Sequence, residues 1–168
     1  MLMEQQLDRI LEQPIYRLLN TIGLTKTQYI VVRRGTKVYN VLKGFLTDHP
    51  PIIVIIDEKR RPLGYITDME ILSLFAGKRR YSSFSIGTSL SRLGLSIEKF
   101  MSIPIERIME RKPIIVRETD KVYEVINLVY SFHSPIIVIV DENNRLKTVI
   151  TTFQLLRAIL ETTLRNTT

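Results

Sequence analysis

Apolar and polar positions along the chain follow two rhythms, and they alternate in a fixed order. Short β-branched runs at Tyr29–Arg33 and Ile114–Arg117 read as strands. Each is followed by apolar residues at helical spacing: Val38, Val41, Leu42 and Phe45, then Val122, Val125, Ile126 and Val129. Thr36 and Asp120 are placed to cap those helices. Next comes an unbroken apolar run, PPIIVIID at 50–57 and SPIIVIVD at 134–141, which suits a strand buried on both faces. Turn-forming stretches at 57–62 and 141–145 lead to a further strand, predicted over 63–66 and 147–150. Closing helices are predicted from Thr67 and Thr151. Before Tyr29, Leu7, Ile10, Leu11, Leu18, Leu19 and Ile22 predict one or two amphipathic helices interrupted near Pro14.

The two octets lie 84 positions apart, and the match extends beyond them without a gap from Ile30 to Leu72. Lys37-Val38-Tyr39 recurs as Lys121-Val122-Tyr123, His49 as His133, Arg61 as Arg145, and Ile66-Thr67 as Ile150-Thr151. This is an internal duplication of a β-α-β-β-α unit. One such unit buries too little apolar surface to stand alone, so the two sheets are expected to pack against each other as a pseudo-symmetric pair. The predicted segments are an N-terminal helical part (1–24), a first unit (25–76), a basic Ser/Gly-rich connection (77–104), a second unit (105–162) and a tail (163–168). The fold class is α+β, close to α/β.

Composition narrows the chemistry. Of 168 residues, 45% are apolar and 24% charged, as in an ordinary globular protein with a sizeable core. No cysteine is present, which excludes disulfides, thiolate metal sites and a cysteine nucleophile. The octet runs hold five apolar residues, far short of a membrane span. Glu4, Asp8, Arg9 and Glu12 interrupt the N-terminal stretch, which therefore does not read as a signal peptide, and a cytoplasmic protein is expected. The net charge of +7 favours anionic partners: nucleotides, nucleic acid or an acidic protein surface. Lys59-Arg60-Arg61 and Lys78-Arg79-Arg80 are the dense clusters. His49 and His133, one per copy, make no metal set and read as helix-end or turn residues. No nucleophile with an oriented base and no glycine-rich phosphate loop is present, so catalysis is not expected.

The third strand enters its helix as Gly64-Tyr65-Ile66-Thr67-Asp68-Met69-Glu70, and again as Thr148-Val149-Ile150-Thr151-Thr152-Phe153-Gln154. With the duplicated order of elements, and with Ile108-Met109 before Lys112-Pro113, this resembles the cystathionine β-synthase (CBS) domain, present here as a tandem pair over roughly residues 14–160. The resemblance implies a regulatory module that usually forms a homodimer. It also implies an adenosine-bearing ligand (AMP, ADP, ATP or S-adenosylmethionine) bound between the halves, and a partner protein modulated in response. By that resemblance Glu70 takes the ribose role that the family gives to an Asp. From the residues, Thr67 at the strand-to-helix junction suits a phosphate, and Pro51, Ile52 and Ile53 flank adenine. Arg33, with Arg34 and Arg117, is a cation within reach of the cleft or a solvated strand-end charge. Thr151, Gln154, Pro135 and Ile136 form the second-copy set. Binding relatives often carry basic residues where Pro51-Ile52 and Pro135-Ile136 stand here. From the residues alone, Thr-x-x-Glu and Thr-x-x-Gln are also capping boxes. An adapter that binds protein or nucleic acid through its basic clusters is the alternative reading.

Overall fold

The computed structural model describes residues 2–21, 29–47, 52–76 and 97–165. Before the first strand lie α1 (Leu2–Glu12) and α2 (Ile15–Thr21). The first copy comprises β1 (Tyr29–Arg33), α3 (Val38–Thr47), β2 (Ile52–Ile56), β3 (Pro62–Thr67) and α4 (Asp68–Ala76). α5 (Ile97–Ser102) and a 3-10 turn (Ile105–Arg107) follow. The second copy comprises β4 (Ile114–Arg117), α6 (Val122–Phe132), β5 (Ile136–Val140), β6 (Leu146–Thr151) and α7 (Thr152–Arg165).

Two three-stranded sheets result, ordered β1-β2-β3 and β4-β5-β6. In each, the first pair is parallel and the second antiparallel. A parallel pair needs a long crossover, and α3 and α6 supply it. The central strands β2 and β5 are buried at every position, which is why both are spelled as continuous Ile/Val runs. The predicted β-α-β-β-α order therefore holds in both copies, with each third strand one residue longer at either end than expected.

The turns after the central strands are built alike. Asp57 Oδ1 accepts from the Lys59 and Arg61 amides at 2.9 and 2.8 Å, and Asp141 Oδ1 from the Asn143 and Arg145 amides at 2.8 and 2.9 Å. Thr36 and Asp120 do not cap the helices as expected. The Thr36 hydroxyl donates to the Arg33 carbonyl, and Asp120 Oδ2 accepts from the Arg117 amide, so both close the turn after the first strand. The N-cap of α6 is instead Lys121, whose amide donates to Glu124 Oε2 at 2.9 Å.

The chain divides into two compact units that cut across the predicted segments. One joins β1 through α4 with α5 and the chain to Lys112; the other joins α1 and α2 with everything from Pro113. Of the connection expected at 77–104, residues 77–96 lie outside the described residues, and α5 takes up most of the rest, with Phe100 buried in the first core. Residues 105–112, placed with the second copy by sequence, pack with the first. α7 runs to Arg165, into the segment expected as a tail.

The physical reason is a pair of matched docking segments. The Ile105 amide donates to the Thr36 carbonyl (2.8 Å) and the Val38 amide to the Ile103 carbonyl (3.0 Å). In the other unit the Ile15 amide donates to the Asp120 carbonyl (2.8 Å) and the Val122 amide to the Gln13 carbonyl (3.0 Å). Pro14-Ile15-x-Arg17 and Pro104-Ile105-x-Arg107 are thus a second repeat, 90 positions apart rather than 84. Ile15 and Ile105 are both fully buried. Each such burial contributes about 1.5–3 kcal/mol. Each segment docks on the sheet unit that does not follow it directly in sequence.

After docking, the copies diverge. The first chain extends along β3, where the amides and carbonyls of Tyr65 and Glu110 exchange hydrogen bonds of 3.0 and 2.8 Å. A Cβ on Gly64 would lie 2.5 Å from the Glu110 carbonyl oxygen and 2.7 Å from Met109 Sδ. The matching stretch of the other unit stays helical as α2, and Thr148 occupies the glycine's position there.

Candidate ligand site at the strand-to-helix junctions

Each third strand runs directly into its helix, at Thr67 and at Thr151, so both threonines stand beside the first residue of the central strand. The register pairs Ile52 with Thr67 and Ile136 with Thr151. Thr67, Glu70, Ile52 and Ile53 therefore share one end of the first unit, and Thr151, Gln154 and Ile136 the same end of the second. Ile52, Ile53 and Ile136 are buried, while Pro135 is exposed; Pro51 lies outside the described residues.

Both junctions form capping boxes. Glu70 Oε2 accepts from the Thr67 amide at 2.6 Å and from the Thr67 hydroxyl, while Thr67 Oγ1 accepts from the Met69 amide at 3.2 Å. Gln154 Oε1 accepts from the Thr151 amide at 2.9 Å, and Thr151 Oγ1 from the Gln154 amide at 3.2 Å. The Thr152 amide donates to the Pro135 carbonyl at 3.0 Å. These side chains engage the helix's own first amides, as the capping-box reading of the sequence expects. What distinguishes the junctions is chemistry. A carboxylate has about four acceptor sites and no donor, whereas the second amide terminus of Gln154 only donates. Ribose hydroxyls, which need acceptors, fit Glu70 better.

Arg33 is not at this end. It pairs with Ile56, four residues along β2 from Ile52, which places it about 13 Å away at strand rise. Parallel pairing puts the start of β1, not its end, beside the junction. Tyr29, paired with Ile52 and half-buried, is the β1 residue that lies there. In the sequence Tyr29 is only the first residue of a β-branched run, and nothing local marks it as lying beside the junction.

The far end of the first unit holds Asp57, with its side chain 8% exposed. The Arg61 amide, then the Arg61 side chain at 2.6 Å and the Lys59 amide, hold its carboxyl below the usual aspartate value, with burial opposing them. His133 is the left-handed C-cap of α6, stacked 6.2 Å from Tyr130, as a helix-end residue; His49 lies outside the described residues. Among the described residues no group of three His, Asp or Glu could hold a metal, and no helix is long and apolar enough to cross a membrane.

A family model described as the CBS domain matches residues 105–161. That stretch is a CBS domain. No curated protein matches the chain by sequence. Among solved structures, CBSX2 in complex with AMP is 21% identical, with a TM-score of 0.57 over 78% of this chain and 87% of that one. A CBS domain-containing protein of unknown function from Bacillus anthracis is 17% identical, with a TM-score of 0.61 over 95% and 97%. The cytosolic domain of the Mg2+ channel MgtE in complex with ATP is 22% identical, with a TM-score of 0.57; the likeness covers 91% of this chain and only 51% of that one. The described residues share the fold of these structures, and the first copy, β1 through α4, repeats the element order of the matched stretch.

Proposed function

We propose that this CBS pair is a regulatory module that takes an adenosine-bearing ligand, AMP, ADP, ATP or S-adenosylmethionine, at the Thr67/Glu70 junction. The observation that carries the reading is the Glu70 carboxylate, fixed by Thr67 beside the buried start of β2. There it accepts from ribose hydroxyls while Pro51, Ile52 and Ile53 flank the adenine. AMP and ATP in the two solved relatives support that ligand class. Thr151, Gln154, Pro135 and Ile136 form the weaker second site, because an amide replaces the carboxylate. Binding favours one arrangement of the module over another and so changes a partner protein's activity; the module regulates rather than catalyses, in the cytoplasm. It acts as a homodimer, for which Phe153, Leu156, Leu160 and Leu164 form an exposed apolar stripe along α7.

Thermal unfolding with each of the four ligands tests this. Ligand at 100 times its Kd stabilises by about 2.7 kcal/mol, a rise of roughly 5–10 °C in Tm for a chain of this length. The rise should vanish in Glu70→Ala and survive in Gln154→Ala. No rise with any of the four at millimolar concentration would remove the reading.

A further inference from the structure

We propose that the end of the first unit opposite Glu70 is a docking surface for the phosphate backbone of a nucleic acid. The fold brings two separated basic stretches together there. Arg33 pairs with Ile56, the Arg34 amide donates to the Ile56 carbonyl at 2.9 Å, and Lys59, Arg60 and Arg61 form the turn that leaves Asp57. All five cations are exposed. Arg61 is held by Asp57 at 2.6 Å, and Arg34 has a loose 3.9 Å contact with Glu106. Among the described residues Arg33, Lys59 and Arg60 have no ion-pair partner. Glu58 and Glu106 are the acidic groups nearby that Arg61 does not neutralise.

The duplicate copy serves as an internal control. Its turn has the same hydrogen bonds from and to the backbone, yet Arg34, Lys59 and Arg60 are replaced there by Glu118, Asn143 and Asn144. The fold therefore does not require the cations. Arg60 moreover sits in the left-handed region at φ 66°, where its twin Asn144 has φ 58°. Asparagine tolerates that conformation far better than arginine. The first copy thus carries a charge at a position whose backbone disfavours it, a mark of a functional demand.

The chemistry selects the partner. Guanidinium groups match phosphate oxygens geometrically. No large apolar residue is exposed within 33–37 or 57–62, so the apolar centre that a protein interface relies on is missing. No aromatic lies in these stretches to stack a base, so contact is to the backbone and independent of sequence.

Fluorescence anisotropy with a mixed-sequence 20-base-pair duplex tests the assignment. Three to four phosphate contacts predict a slope of about −3 in log K against log salt, or roughly 50-fold weaker binding at 200 than at 50 mM. The twin's own residues supply the variant: Lys59→Asn with Arg60→Asn should bind at least about tenfold more weakly, lose about two units of slope, and melt no lower than the parent. Asn143→Lys with Asn144→Arg should strengthen binding. No binding at 50 mM salt, or equal binding by the Lys59/Arg60 variant, would overturn the proposal. Binding of poly-glutamate as tight as that of the duplex would reassign the surface to an acidic polypeptide and equally overturn it.

Discussion

Gly64→Ala reports on how the chain returns to the first sheet. The added methyl would sit 2.5 Å from the Glu110 carbonyl oxygen, and backbone cannot swing aside as a flexible side chain can. Relief requires the 109–110 segment to lift off β3, which stretches or breaks the two hydrogen bonds between Tyr65 and Glu110. Overpacking costs about 1–3 kcal/mol, and each of the two bonds contributes about 0.5–1.5 kcal/mol, so the loss is about 2–6 kcal/mol. In urea, at about 2 kcal/mol per molar, the midpoint falls by roughly 1–3 M. Thr148→Ala is the matched control, since that position already accepts a side chain, and it should cost under about 1 kcal/mol. Equal midpoints for Gly64→Ala and the parent would refute the close approach of this segment.

Ile15→Ala should cost about 2–5 kcal/mol, and hydrogen exchange should quicken in β5 more than in β2, although Ile15 precedes the first copy; faster exchange confined to β2 would contradict the docking. Asp57→Asn should flatten the acid limb of stability. The native carboxyl titrates below its ordinary 3.8, so its contribution is present above that value and is lost as pH falls through the lowered one. Urea midpoints measured from pH 6 to 2 should fall less steeply in the variant, and parallel profiles would contradict the Asp57–Arg61 contacts.

Much of the fold was legible because the Ile/Val runs and the 84-residue match are local signals that survive without a partner. Which unit a helix docks on is not local. The Pro-Ile-x-Arg segments repeat at a different offset, so a gap-free match misses them, and nothing in the periodicity of α1 says that it joins β4–β6. Thr36 and Asp120 show the same limit: as cap and as turn residue they need the same oxygen, and only the backbone path decides. Thr67 and Glu70 were readable as a junction pair, whereas Arg33 was misplaced because proximity in sequence to a strand end does not say which sheet end that is. Parallel pairing of β1 with β2 does.

The most direct test of the Glu70 assignment is calorimetric titration of ATP and 2′,3′-dideoxy-ATP into the parent and Glu70→Ala. A hydrogen bond to a carboxylate is worth about 1.5–3 kcal/mol. The parent should therefore prefer ATP by roughly 10- to 100-fold, and the variant should bind the two nucleotides alike. Equal affinity of the parent for both nucleotides would contradict the role given to Glu70.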